Sequence, residues 1–142
     1  AWFGEKDYQQ LVVIRRLTHD LGLGVSVHGV ATVRESDGLA LSSRNAYLDA
    51  RERTIAPSLY RALMAMAEAI AAGAPPEEET VHARETLLDA GFDSVDYVEL
   101  CDAQTLATIN TVTRPARALA AAQLGRARLI DNVAVMPTVR GR

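Results

Sequence analysis

Two short segments carry side chains whose types and spacing suit chemistry on an anion. The first is Gly4-Glu5-Lys6-Asp7, with Gln9-Gln10 behind it. Gly4 lets a backbone approach a ligand closely, and the N–H groups that open a following helix favour negative charge. Lys6 adds a mobile cation suited to a phosphate. Asp7 accepts hydrogen bonds from hydroxyls such as those of a ribose, and Gln10, three residues on, shares its helical face. A plain capped helix with solvated charges is the commoner account of such a run. The second segment is Asp37-Gly38-Leu39-Ala40-Leu41-Ser42-Ser43-Arg44-Asn45. Two hydroxyls and a guanidinium beside a flexible turn make a clamp for a polyphosphate. Arg offers a planar fork to phosphate oxygens, and Ser Oγ donates to the same atoms. A serine-rich loop before a helix explains this segment equally well.

Other reactive side chains point to structural roles. His19 sits beside Asp20 at a helix end, His28 in a strand and His82 in a helix, with no pair at metal-ligand spacing. Cys101 reads as a buried apolar residue. Arg114, Arg117, Arg126 and Arg128 form a basic cluster, either a solvated face or a positive rim over a nucleotide. Asp131-Asn132 would order a turn or pair with one of those arginines.

The elements that must position the two segments follow from periodicity and breakers. Lys6 to Asp20 reads as a helix with apolar residues at Leu11, Ile14, Leu17 and Leu21, ended by Gly22 and Gly24. Val25 to Val30 reads as a strand, giving the second half of a βαβ unit whose first strand would end near Ala1-Trp2-Phe3, most of it upstream. Asp49, with Glu52 three residues on, predicts a capping box. The helix then runs through Leu59, Leu63, Met66 and Ile70 to Gly73, and Pro57 either kinks it or starts a new one. Pro75-Pro76 opens another helix, with Glu77, Glu78 and Glu79 suited to its dipole and Val81, Leu87 and Leu88 facing inward, ended by Gly91. Ser94 to Cys101 reads as a strand. Ala118 to Leu124 favours helix by propensity, yet Leu124-Gly125-Arg126 followed by Ala127 to Met136 reads better as a hairpin.

Composition fits a globular α+β chain. The 142 residues hold 15 Lys+Arg against 18 Asp+Glu, with 49% hydrophobic and 23% charged residues, which excludes disordered, collagen-like and coiled-coil classes. No apolar run approaches the roughly 20 residues of a membrane span, and the first residues lack a secretory pattern. One cysteine allows no internal disulfide and suits a reducing compartment. The acidic balance argues mildly against nucleic acid as a partner.

Taken together, Phe3 to Gln10 and Asp37 to Leu48, with Leu129-Ile130-Asp131-Asn132, closely resemble the pantoate–β-alanine ligases over the whole chain, at about the C-terminal half of that family's usual length. The resemblance implies the tail of a Rossmann-like nucleotide-binding domain over residues 1–33. A small helical domain with an antiparallel sheet would follow over 34–142 as a lid. It implies ATP and Mg²⁺, pantoate and β-alanine as small-molecule substrates, a homodimer, and a cytoplasmic enzyme without nucleic-acid or membrane partners. Gly4, Glu5, Lys6, Asp7, Val33, Leu41, Ser42, Ser43 and Arg44 would bind ATP, Val33 through its backbone to adenine. Lys6, Ser42, Ser43 and Arg44 would act on the phosphates, and Gln10 would bind pantoate. No metal ligand is assigned to this chain. Closure of the two domains would complete the site. The family's first signature, His-x-Gly-His, has no counterpart here, so the isolated chain is expected to be inactive. The alternatives are a non-catalytic domain that self-associates or binds a partner, and a different adenylyl-transferring enzyme of the same superfamily.

Overall fold

The computed structural model describes residues 1–137; the last five residues of the expected lid segment lie outside them. The chain opens with strand β1, Trp2–Gly4, a 3₁₀ turn at Glu5–Asp7, helix α1, Tyr8–Asp20, and strand β2, His28–Val30. β1 and β2 pair in parallel, with Phe3 opposite Gly29, so the strand expected near residues 1–3 is present. β2 is shorter than expected: only His28–Val30 pairs, and residues 25–27 do not join the ladder. Leu11 and Val12 of α1 are buried, whereas Leu17 and Leu21 are 52% and 62% exposed. The apolar stripe of α1 is therefore covered only over its first turns.

Helices α2, Ala50–Ile55, α3, Ser58–Ala71, and α4, Pro76–Ala90, follow. Asp49 and Glu52 make the expected capping box, at 2.7 and 3.0 Å. Pro57 marks a fresh start, since α2 stops at Ile55 and α3 begins after the proline. Leu59, Leu63, Met66 and Ile70 are all buried along one face of α3. In α4 only Ala83 and Leu87 are buried; Val81 and Leu88 are exposed, contrary to the inward face expected for them. The cause is geometric. A helix turns about 100° per residue, so a stripe centred on residues 83 and 87 carries both Val81 and Leu88 away from the core.

Strands β3, Ser94–Asp102, β4, Ala116–Leu124, and β5, Ala127–Val135, form an antiparallel sheet in the order β3-β4-β5. β4 is a strand despite its alanines, because it is buried on both faces. Ala116, Ala118, Ala120 and Ala122 pack toward α3 and α4, while Leu119 packs with Cys101, Tyr8, Leu11 and Val12 on the other side. Small side chains let the helices sit close to the central strand, and burial outweighs local helix preference. The fold is α+β: a parallel βαβ unit and a helical layer on opposite faces of one antiparallel sheet.

Candidate functional site: two segments held by one strand

The first segment is seated on the β5 side of the sheet. Gly4 has φ −68° and ψ 136°, and among the described residues no atom beyond its two chain neighbours lies within 4 Å of the place a Cβ would take. Beneath it, Asn132 Nδ2 donates to the carbonyls of Glu5 and Lys6 at 2.9 and 3.1 Å. Asn132 is 3% exposed, and its Oδ1 accepts from Arg117 Nη1 at 3.1 Å. The Arg117 guanidinium lies 4.4 Å above the Tyr8 ring, with Nη2 3.6 Å from Glu5 Oε2. Tyr8 in turn donates its hydroxyl to Ala103 O at 2.6 Å.

The second segment is a tight turn with a supported base and an exposed tip. Leu41 N donates to Val33 O at 2.9 Å and Glu35 N to Leu39 O at 2.8 Å, closing a short antiparallel bridge. The Val33 carbonyl is thus engaged by Leu41. Gly38 is required at the turn: φ is +95°, and a Cβ would come 2.5 Å from the Tyr60 ring. Arg34 makes a bidentate pair with Asp131 at 2.6 and 2.9 Å, donates to Gly38 O, and lies 3.9 Å over the Tyr60 ring. Arg53 donates to Asp37 at 2.7 Å, and that hydrogen bond holds the Asp37 carboxyl below its ordinary value. Ser42 Oγ accepts from Arg44 N at 3.2 Å and opens a 3₁₀ turn, Ser43–Tyr47. Ser43 and Arg44 are exposed, and Arg44 Nη1 donates to Arg128 O at 3.2 Å.

The two segments meet. Lys6, Ser42 and Asn45 line one crevice with Arg128 and Asp131, and it holds only about 10 Å³, roughly one water. A second hollow, about 130 Å³, borders Lys6, Asp7 and Gln10 together with Tyr97 and Asn132. Burial raises the Tyr97 hydroxyl above its ordinary value. A larger hollow, about 580 Å³, lies elsewhere, between the start of α4, β3 and residues 108–114. Its Asp102 is satisfied by the N–H groups of Gln104 and Thr105 and by Arg114. Among the described residues, no cluster of three or more His, Cys, Asp or Glu side chains is placed to hold a metal.

Several sequence expectations are redirected. The four C-terminal arginines form no single basic rim. Arg114 pairs with Asp102 and Arg128 with Asp96, while Arg117 turns inward over Tyr8. Asp131 pairs with Arg34, not with any of them, and only Asn132 meets one, Arg117. His28 stacks on Trp2 at 4.6 Å. Cys101 is buried, which pushes its thiol up to about 11. Sequence reasoning passed over Arg34 and Tyr60, whose only local sign is an arginine directly after Val33.

The family model described as Pantoate-beta-alanine ligase matches residues 1–134. The chain belongs to the pantoate–β-alanine ligase family. It is 56% identical over 137 residues to the pantothenate synthetase of Paramagnetospirillum magneticum, covering 96% of this chain and 48% of that protein. It is 53% identical over 135 residues to that of Sphingopyxis alaskensis, again 48% of its length. The chain thus spans about half the length of these curated relatives. A crystal structure of the pantothenate synthetase of Thermus thermophilus superposes with a TM-score of 0.90 at 47% identity, over 96% of this chain and 50% of that one. A ligase of this family from Francisella tularensis was solved in complex with β-γ ATP and β-alanine; it matches at 26% identity with a TM-score of 0.66, over 93% of this chain and 42% of that one.

Proposed function

We propose that this chain is the C-terminal half of a pantoate–β-alanine ligase, which forms pantothenate from pantoate and β-alanine with ATP. On this reading, pantoate attacks ATP to give pantoyl adenylate and pyrophosphate, and the β-alanine amine then displaces AMP. Residues 1–33 would end the nucleotide-binding domain and 34–142 would form the smaller one. The observation that supports it best is the shared crevice of Lys6 and Ser42, two residues from separate anion-suited segments.

Each group then has a defined task. The Lys6 N–H and the Lys6 amine meet phosphate, and the Asp7 carboxylate meets ribose hydroxyls. Gly4 leaves open space for close approach. The Glu5 carboxylate is turned toward Arg117 and its carbonyl is held by Asn132, which leaves its N–H for the nucleotide. The Val33 N–H faces adenine, and Leu41 sets the start of the Ser42–Arg44 clamp. Adenylation puts charge on the oxygen that leaves with pyrophosphate. Lys6, Ser42, Ser43 and Arg44 stabilise that charge, an electrostatic role rather than a general-base one. Arg44 would release Arg128 O to do so. Among the described residues no acidic or histidine cluster is placed to hold Mg²⁺; arriving with ATP, it would supply further neutralisation of the same charge. Gln10 orients pantoate.

The missing His-x-Gly-His makes the isolated chain inactive on this reading. The test is to join this chain behind the N-terminal half of the Paramagnetospirillum magneticum relative and to measure pyrophosphate, AMP and pantothenate. The joined protein is expected to make all three and the isolated chain none. Absence of pantothenate from a folded joined protein would count against the assignment. A second reading, self-association, is favoured by the exposed Val13, Leu17, Leu21, Leu23 and Val25. Sedimentation of the isolated chain over a concentration series decides it, a strict monomer excluding it.

A further inference from the structure

We infer that Asp131 and Asn132 are a pair of positioning residues: one step of β5 fixes the two nucleotide-facing segments relative to each other, and Asn132 aims the first. The inference rests on the site assignment proposed above. Consecutive residues of a strand point to opposite faces. Asp131 uses one face to hold Arg34 through two charge-assisted hydrogen bonds. Arg34 follows Val33, whose carbonyl is bonded to Leu41, so the base of the Ser42–Arg44 turn is fixed through Asp131. Asn132 uses the other face to hold both carbonyls of the Glu5–Lys6 turn.

The direction of those bonds matters. No cis peptide occurs among the described residues, and in a planar trans peptide the C=O and N–H point opposite ways. Drawing the Glu5 and Lys6 carbonyls toward β5 therefore turns the Lys6 and Asp7 N–H groups away from it. Asp7 N–H is taken by the Gly4 carbonyl in the first bond of the 3₁₀ turn, so the Lys6 N–H is the donor a phosphate would meet. The amide of Asn132 cannot turn over without losing its bond from Arg117 as well as both donors. The same strand thus sets how far apart the two segments stand and which way the first one faces.

Asn132→Asp separates this role from a merely structural one, since it keeps the size and the Arg117 contact and removes both donors. In the 142-residue chain, amide hydrogen exchange at Asp7 and Tyr8, whose N–H groups close the 3₁₀ turn, is expected to speed by on the order of 10-fold, with the β3–β4 ladder unchanged. In the joined ligase, pyrophosphate release is expected to fall on the order of 10- to 100-fold, while aminolysis of added pantoyl adenylate holds. Asn132→Ser, with one donor, should fall between. Asp102→Asn, in the same sheet but outside the site, should lower the unfolding midpoint and leave both half-reactions intact. Unchanged exchange at Asp7 and Tyr8 overturns the inference whatever the enzyme does. A loosened segment with full adenylation overturns the claim that it faces ATP. A parent joined protein that folds but makes no pantothenate removes the ligase reading, and is told apart because the exchange result on the single chain stands by itself.

Discussion

The two anion-suited segments are built in opposite ways. Gly4–Asp7 is held from below by buried groups: Asn132 on its carbonyls, and Tyr8 bonded to Ala103. Leu41–Arg44 is firm only at its base, where Arg34 meets Asp131. Its tip, Ser43 and Arg44, is exposed and tied by one bond within the turn and one to Arg128 O. A preorganised donor set costs no reorganisation when charge develops, whereas a guanidinium that must change partners can contribute chiefly in the transition state. On the proposed assignment, the first segment would hold ATP and the second would act at the moment of bond breaking.

The largest expected effects test that division. In the joined ligase, Lys6→Ala and Arg44→Ala should each slow pyrophosphate release by about 10- to 1000-fold. Lys6→Ala should also raise KM for ATP, while Arg44→Ala should lower kcat with KM little changed; equal patterns from both would erase the contrast. Next, Asp131→Ala leaves a part-buried guanidinium unpaired and should cost about 3 kcal/mol in urea unfolding. Arg53→Ala removes an exposed pair and should shift the midpoint far less. Third, Gly4→Val should raise KM for ATP about 10-fold with the unfolding midpoint unchanged, since its φ of −68° suits any residue and no atom opposes a Cβ. Gly38→Ala should do the reverse, destabilising by about 1–3 kcal/mol, because its φ is +95° and the Tyr60 ring is in the way.

The smallest effect is set by pH. Asp37 has a folded pKa below its ordinary 3.8, owing first to Arg53. A depressed carboxyl contributes stability that is fully present above its unfolded value and lost as pH falls through the folded one. The Glu35–Leu41 turn should therefore loosen as pH drops below about 3.8. The Glu5–Asp7 turn, held by an amide that does not titrate, should not follow it through that loss. Amide exchange of the two turns between pH 5 and pH 3, compared after correction for intrinsic rates, checks this.

Local signals in the sequence anticipated what local forces decide. Gly73 and Gly91 stop α3 and α4, Asp49 and Glu52 cap α2, and Gly125-Arg126 turns the hairpin. The alanine run of β4 was readable as strand only because a turn and a second strand follow it. Contacts between distant residues left no such trace. Arg34 and Asp131 are 97 positions apart, and Asn132 reaches a turn 126 positions away; nothing in either neighbourhood names the other. The same holds for Val81, Leu88, Leu17 and Leu21, whose exposure depends on what lies against each helix rather than on apolar spacing. The candidate residues were legible as types, and β5 as a strand, but the contacts that β5 makes with both segments were not.

The order of manufacture gives β5 another consequence. A ribosome adding about 5–20 residues each second releases the Glu5–Lys6 turn well before it reaches Asn132, 126 positions later. From the completion of Arg44 until Asn132 the nascent chain has both loops but no strand to lock them, so a polypeptide halted in that interval carries both segments without the shape that β5 gives them.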